Sequence, residues 1–182
     1  MSTYTLAALI QEALATGLLS NGPPADWMRL GLPNIDRAMA GIQPGTVGII
    51  GGGTGSCKST LLMHMALGER VHPMGLVSLE DGPGQLALRA VSQRAAIDSR
   101  ALLREGMAGS HQEPVDSALR DLYDRPYPLF AAPLGATYDD VVNAVRRLAT
   151  DGGCKLIAVD YLQKVRPHDT AMGASQDRRI DM

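Results

Sequence analysis

One stretch limits what this chain can become: Gly51-Gly52-Gly53-Thr54-Gly55-Ser56-Cys57-Lys58-Ser59-Thr60. An apolar run, Val47-Gly48-Ile49-Ile50, precedes it, and Leu61, Leu62, Met65 and Ala66 follow at helical spacing. The pattern predicts strand, glycine-rich turn and helix, the context in which G-x-x-x-x-G-K-[ST] carries meaning. Glycines let successive backbone N–H groups point into one hollow, and the positive end of the next helix faces it. Such a hollow suits phosphate. Lys58 can reach β- and γ-phosphates, and Ser59 has the hydroxyl expected on Mg²⁺. Gly53, Thr54, Gly55, Ser56, Cys57, Lys58, Ser59 and Thr60 are therefore the candidate nucleotide-binding residues. Cys57 stands where the motif has glycine. If that position needs positive φ, a non-glycine residue is strained there.

The chain has 182 residues and a net charge of −2, which suits one domain and no blanket electrostatic grip on nucleic acid. A local basic patch stays open. The single Trp (Trp27) and single Phe (Phe130) make no stacking platform for bases. No signal peptide and no bilayer-length apolar run appear, so a cytoplasmic protein is expected. Cys57 and Cys154 are expected at opposite ends of parallel strands. A strand of about six residues separates those levels by roughly 20 Å, beyond disulfide reach.

Leu6, Leu9, Ile10, Ala13, Leu14 and Leu18 form a helical stripe over Thr5 to Leu19, ended by Asn21-Gly22-Pro23-Pro24. It packs either on its own domain or on a neighbouring subunit. Leu30 to Gly45 predicts a short helix capped by Asn34 and stopped at Gly41, then a Gln43-Pro44-Gly45 turn. Met74 to Leu79 predicts a second strand, ending in Glu80-Asp81-Gly82. Helix follows over Gln85 to Arg100 and over Ala101 to Leu122, interrupted near Gly109. Tyr127 to Ala132 is a short strand, Tyr138 to Thr150 an amphipathic helix, and Lys155 to Asp160 a strand apolar enough for burial on both faces. The segment from Arg166 to Met182 is polar. Strands alternating with helices predict an α/β fold with a parallel sheet and right-handed crossovers. Residues 1–29 would be an N-terminal helix and linker, and 30–182 the domain.

Ligands of such sheets sit at the carboxyl ends of the strands. The glycine-rich turn, Glu80 and Asp160 all fall there. Asp160 can hold a Mg²⁺-bound water and so fix the metal with Ser59; otherwise it caps a turn. Glu80 could orient the water that attacks the γ-phosphate, or be a surface residue. Asp81 competes with it for the role, and spacing does not separate them. Gln163 is either a sensor of nucleotide state or without a role.

Together these residues resemble the RecA-like ATPase domain of DnaB-family replicative DNA helicases. The likeness rests on Leu32-Pro33-Asn34-Ile35-Asp36, Gly41-Ile42-Gln43-Pro44-Gly45, Ser78-Leu79-Glu80, the helix Thr137 to Leu148, and Leu156-Ile157-Ala158-Val159-Asp160-Tyr161-Leu162-Gln163. It covers roughly residues 30 to 168. It implies a RecA-like P-loop NTPase with Glu80 as catalytic carboxylate, Lys58 and Ser59 on ATP and Mg²⁺, and Asp160 as the Walker B aspartate. It also implies a homo-hexameric ring in the full-length form, ATP at subunit boundaries, single-stranded DNA in the channel, and a primase or helicase loader as partner.

Departures from the family are Cys57 for glycine, no primase-interacting domain before the core, and no counterpart after "DYLQ" of the later strand, sensor and arginine finger. The fold is thus expected to be incomplete at the C-terminus, with one sheet edge unpaired; the chain reads as a fragment of a longer product in preference to a truncated relative that cannot complete catalysis alone. Arg166, His168, Arg178 and Arg179 could contact DNA phosphates, or lie in a solvated loop diluted by Asp169, Asp177 and Asp181. Two rival readings are a RecA- or KaiC-like ATPase that does not unwind DNA, and a non-hydrolytic nucleotide-binding or assembly module. A thiol at a helix N-terminus beside Lys58 also suggests reactivity, with oxidation switching ATP binding.

Overall fold

The computed structural model describes residues 5–15, 17, 27–68, 73–125, 127, 129–131 and 136–165. Among these described residues three strands, β1 (Met74–Ser78), β2 (Leu129–Ala131) and β3 (Leu156–Asp160), form a parallel sheet in the order β2-β1-β3. Strands parallel to one another need crossovers, and the helices supply them. The helices are α1 (Leu6–Ala15), α2 (Pro33–Met39), α3 (Lys58–Ala66), α4 (Pro83–Ala95), α5 (Ser99–Glu105), α6 (Gln112–Asp124) and α7 (Tyr138–Thr150).

Side-chain alternation along β1 divides the core in two. Met74 and Leu76 point to one face, where Leu62, Met63, Met65 and Ala66 of α3 and Leu86 and Ala90 of α4 cover them. Val77 points to the other, against Val141, Ala144 and Leu148 of α7. Gly75 lets α7 come close: a Cβ there would lie 3.1 Å from Leu148 Cδ1 and 3.2 Å from Cys154 Sγ. β1 is buried throughout, whereas β3 is only half-buried up to Asp160. The sequence predicts β3 buried on both faces; it stands instead at the sheet's edge among the described residues.

The largest departure from the sequence reading concerns Val47 to Ile50. It is not a strand, and Val47 and Ile49 are 90% and 91% exposed. An apolar run becomes a strand only where a neighbour takes up its backbone groups, and no described strand lies beside this one.

Other boundaries moved for local reasons. The first helix is found over Leu6–Ala15, with the Thr5 hydroxyl accepting from Ala8 N at 3.2 Å; its apolar stripe is exposed and no residue in it is buried. Asn34 does not cap α2, whose N-cap is Leu32. Asp36 does the equivalent work from within the helix. Its carboxylate is buried and accepts from Leu30 N (2.6 Å), Gly31 N (2.9 Å) and Leu32 N (3.0 Å). Asp36→Ala would orphan three amides at the start of the domain, and a single unsatisfied buried donor costs about 1–3 kcal/mol. The expected loss is about 3 kcal/mol, read from the denaturant midpoint; a loss under about 1 kcal/mol would mean water replaces the carboxylate.

The helix predicted over Gln85 to Arg100 is two helices. Ala96 takes a left-handed conformation (φ 54°) and ends α4, and the Asp98 carboxylate accepts from Arg100 N and Ala101 N to start α5. The interruption near Gly109 is real: α5 stops at Glu105 and a 3-10 turn (Gly109–His111) leads into α6. α7 matches its predicted limits, with a Thr137–Asp140 capping box at its start. The Thr137 backbone amide beside the Asp140 carboxyl holds it below the usual range.

α4 is fixed from outside by α6. Arg94 donates to Asp121, and Arg125 reaches the same carboxylate at 3.2 Å. The Arg94 hydrogen bond holds the Asp121 carboxyl below its ordinary 3.8. A depressed carboxylate stabilises the fold fully above that ordinary value and ceases to as acid protonates it, so this clamp operates at neutral pH. Among the described residues no helix is long and apolar enough to cross a membrane. The predicted tail residues Arg166, His168, Arg178 and Arg179 lie outside the described residues, as does Leu18.

Candidate functional site

The glycine-rich segment forms the turn its composition demands. Thr54 and Gly55 make the bend, Gly55 has φ 78°, and Ser56 N donates to Gly53 O at 3.3 Å. Gly52, the first glycine of the motif, lies close under Ser56: a Cβ there would lie 2.5 Å from Ser56 Oγ, so the serine would have to turn away. The loop leads into α3, whose first residue is Lys58. Lys58 Nζ folds back to donate to Gly52 O (2.7 Å) and Gly53 O (2.9 Å). An ammonium has three donors, so one remains for an anion arriving over the loop.

Cys57 occupies the N-cap of α3 with φ 62° and ψ 24°. Positive φ is therefore what this position needs, as the motif's glycine implies. The thiol is exposed, with its Sγ 3.8 Å from Gly55 O. Cys154 is buried beneath α7, where loss of water pushes its thiol pKa up. The two cysteines are free, as expected. A left-handed non-glycine residue costs about 1–2 kcal/mol, and glycine returns about 0.4–1 kcal/mol of that through the unfolded chain. Cys57→Gly is therefore expected to stabilise the fold by up to about 1 kcal/mol and to tighten nucleotide binding. Thermal melting and a nucleotide titration check it; a variant no more stable than the parent would show that the loop accommodates the Cβ.

The acidic candidates sit where the sheet ends. Asp160 is the last residue of β3, buried, and in register with Ser78, the last residue of β1. Leu79 N donates to Asp160 O at 2.7 Å, so the two strand ends stay paired into the turn beyond them. Glu80 and Asp81 lie in that turn. Glu80 is exposed, whereas Asp81 is turned inward: its N–H donates to Ser78 Oγ (3.0 Å) and its carboxylate accepts from Arg89 Nε (2.6 Å). The two residues differ in setting: Asp81 is paired with an arginine, and Glu80 is exposed.

Two side chains of α4 reach the first turn of α3. Arg89 Nη1 donates to Thr60 Oγ1 (3.3 Å) and Gln93 Nε2 to Thr60 O (2.8 Å). Sequence reasoning placed Arg89 only on a polar helix face. Its one usable signal was an arginine two helical turns beyond Asp81. A path of hydrogen bonds thus runs from Thr60 through Arg89 and Asp81 to Ser78, beside Asp160. Ser59 is half-buried in the first turn of α3, and α3 packs on both β1 and β3. Gln163 is exposed in a 3-10 turn (Leu162–Lys164) just beyond β3. Arg166, the candidate DNA contact, lies outside the described residues.

Comparison with known proteins bears on the family and the fold. A family model for the DnaB-like helicase C-terminal domain matches residues 28–181. Among solved structures, one ATPase domain superposes with a TM-score of 0.75 at 15% identity, covering 96% of this chain and 62% of that one. A DnaB-like replicative helicase, solved in a study of its interactions with primase, gives 0.76 at 16% identity, covering 96% of this chain and 42% of that one. The chain therefore spans less than two thirds of either structure. No curated protein matches the sequence.

Proposed function

The chain belongs to the DnaB-like helicase C-terminal domain family, and from that premise we propose that it is an ATP-binding and ATP-hydrolysing helicase core, coupled in its full-length form to movement along single-stranded DNA. The observation that carries this is the hydrogen-bonded path joining the first turn of α3, the Glu80–Asp81 turn and the end of β3 beside Asp160. It ties the helix that follows the glycine-rich loop to the strand ends that carry Glu80 and Asp160.

The residues present suit the nucleotide. Gly53, Thr54, Gly55, Ser56, Cys57 and Thr60 would surround the phosphates, with the loop's backbone N–H groups turned to them. Lys58 would exchange the carbonyls of Gly52 and Gly53 for phosphate oxygens, a charge-assisted bond replacing neutral ones. The Ser59 hydroxyl and the Asp160 carboxylate would hold Mg²⁺, which would supply neutralisation of phosphate charge. Glu80, exposed and at the same strand ends, would orient the attacking water and accept its proton. Gln163, just past β3, would be the residue to sense the nucleotide state. Arg166 follows it and would contact DNA phosphate.

The exposed apolar stripe of α1 (Leu6, Leu9, Ile10, Leu14) suits docking on the next subunit of a ring, consistent with a homo-hexamer. A primase or helicase loader would be the protein partner, and the cytoplasm its place.

Binding and turnover of ATP, measured separately on the full chain with Mg²⁺, test the reading, followed by strand displacement on a forked duplex. Binding with turnover that single-stranded DNA accelerates supports it. Binding without turnover would favour a nucleotide-binding module, to which the strained Cys57 already inclines. Turnover without strand displacement by the assembled protein would favour an ATPase that does not unwind. Absence of binding would remove the P-loop reading altogether.

A further inference from the structure

Arg89 touches neither the glycine-rich loop nor Glu80, yet it is bonded to the neighbours of both. Its Nε donates to Asp81 Oδ2 at 2.6 Å and its Nη1 to Thr60 Oγ1 at 3.3 Å. Gln93, one turn further along α4, adds a bond to Thr60 O at 2.8 Å. Asp81 is held at a second point, through its amide on Ser78 Oγ at 3.0 Å. Glu80 is the residue between these anchors. Its own side chain is exposed, so its direction depends on the peptides on either side of it.

We propose that Arg89 is a positioning residue that couples the nucleotide-binding helix to the water-positioning turn. A shift of the first turn of α3 moves Thr60, and the guanidinium carries that shift to Asp81 and so to the peptide that aims Glu80. The inference rests on the role given to Glu80 above. Arginine suits the task because a planar guanidinium presents donors at fixed angles to two acceptors at once, whereas a lysine ammonium is a single point on a flexible stem. Asp81 is 14% and Arg89 34% exposed at the side chain, so the pair is shielded enough to hold its geometry. α4 itself is braced from behind through Arg94 and Asp121, which gives the coupling a fixed support.

Hydrogen exchange on the full chain tests this, with and without a non-hydrolysable ATP analogue and Mg²⁺, alongside steady-state ATPase kinetics. In the parent chain the analogue is expected to slow exchange at residues 52–60 and also at 78–82. In Arg89→Ala, protection at 52–60 should persist while that at 78–82 is lost. kcat should fall about 10- to 100-fold, the scale of a catalytic group displaced by an ångström, with KM changed less than about two-fold. Arg89→Lys should behave as the alanine variant does, because charge without the planar fork does not restore the path. Should Arg89→Ala fold poorly, Asp81→Asn weakens the other end of the link, outside the nucleotide-binding residues, and should weaken protection at 78–82 in the same direction while that at 52–60 persists. Variants that keep protection at 78–82 and the parental kcat would overturn the coupling. Loss of protection at both segments together would also overturn it, since that marks a general loosening. If the parent chain itself gains no protection at 52–60, the nucleotide reading fails first and takes the coupling with it.

Discussion

Lys58→Ala is expected to remove nucleotide binding while leaving the fold intact. The lysine's present bonds, to Gly52 O and Gly53 O, lie within an exposed loop. Water can replace them, so the stability cost should be within about 0.5 kcal/mol, the usual scale for surface changes. The cost to binding is of another order. A hydrogen bond to a charged partner contributes about 1.5–3 kcal/mol, and Lys58 has donors for more than one phosphate oxygen. Loss of two such bonds would weaken affinity by roughly 10²-fold or more. Turnover should suffer further, because removing one donor from developing transition-state charge costs about 10²–10³ in kcat. A fluorescent-nucleotide titration and phosphate release, beside a thermal melt, separate these effects. Parental affinity in a folded variant would show that the glycine-rich loop serves some other purpose.

How far the sequence could be read depends on the range of the forces involved. α7 was legible from the helical spacing of Val141, Val142, Val145 and Leu148, and the structure adds the Thr137–Asp140 box at its start. β1 and β3 were legible as continuous apolar runs of strand length. Cys57 was legible as a place of strain, since the motif itself states the backbone that the position needs. Val47 to Ile50 has as clear an apolar pattern as β1 and yet stays out of the sheet. A strand is completed by a partner distant in sequence, and composition says nothing of whether one lies beside it. The end of α4 was hidden for a different reason. Ala96 gives no sign of a left-handed turn, though Asp98 is a good N-cap for α5. Asp36 and Arg89 were hidden together. Each acts through bonds to groups whose position depends on the fold, so the pattern showed them only as polar residues on helices.

The choice between Glu80 and Asp81 was open in the sequence, and it sets the second large expectation. Glu80→Gln should leave ATP bound and reduce turnover by about 10²–10⁴-fold, the range attributed to a positioned general base. The amide keeps the size and the acceptor oxygen of the carboxylate but cannot take a proton. Glu80 is exposed and its side chain has no part in the core, so the substitution should leave stability unchanged to within about 0.5 kcal/mol. Asp81→Asn gives the contrast. That carboxylate is shielded and paired with Arg89, so its loss should disturb the turn. Its kcat should fall less than that of Glu80→Gln, by about 10- to 100-fold, through misplacement of Glu80. Nucleotide affinity should hold in both variants, because neither residue lies in the glycine-rich loop. If Asp81→Asn were the variant that bound ATP and stalled while Glu80→Gln turned over normally, the base would be Asp81. The arginine would then be a partner that Asp81 releases on binding, and the path from Thr60 to Ser78 would be a latch on the base.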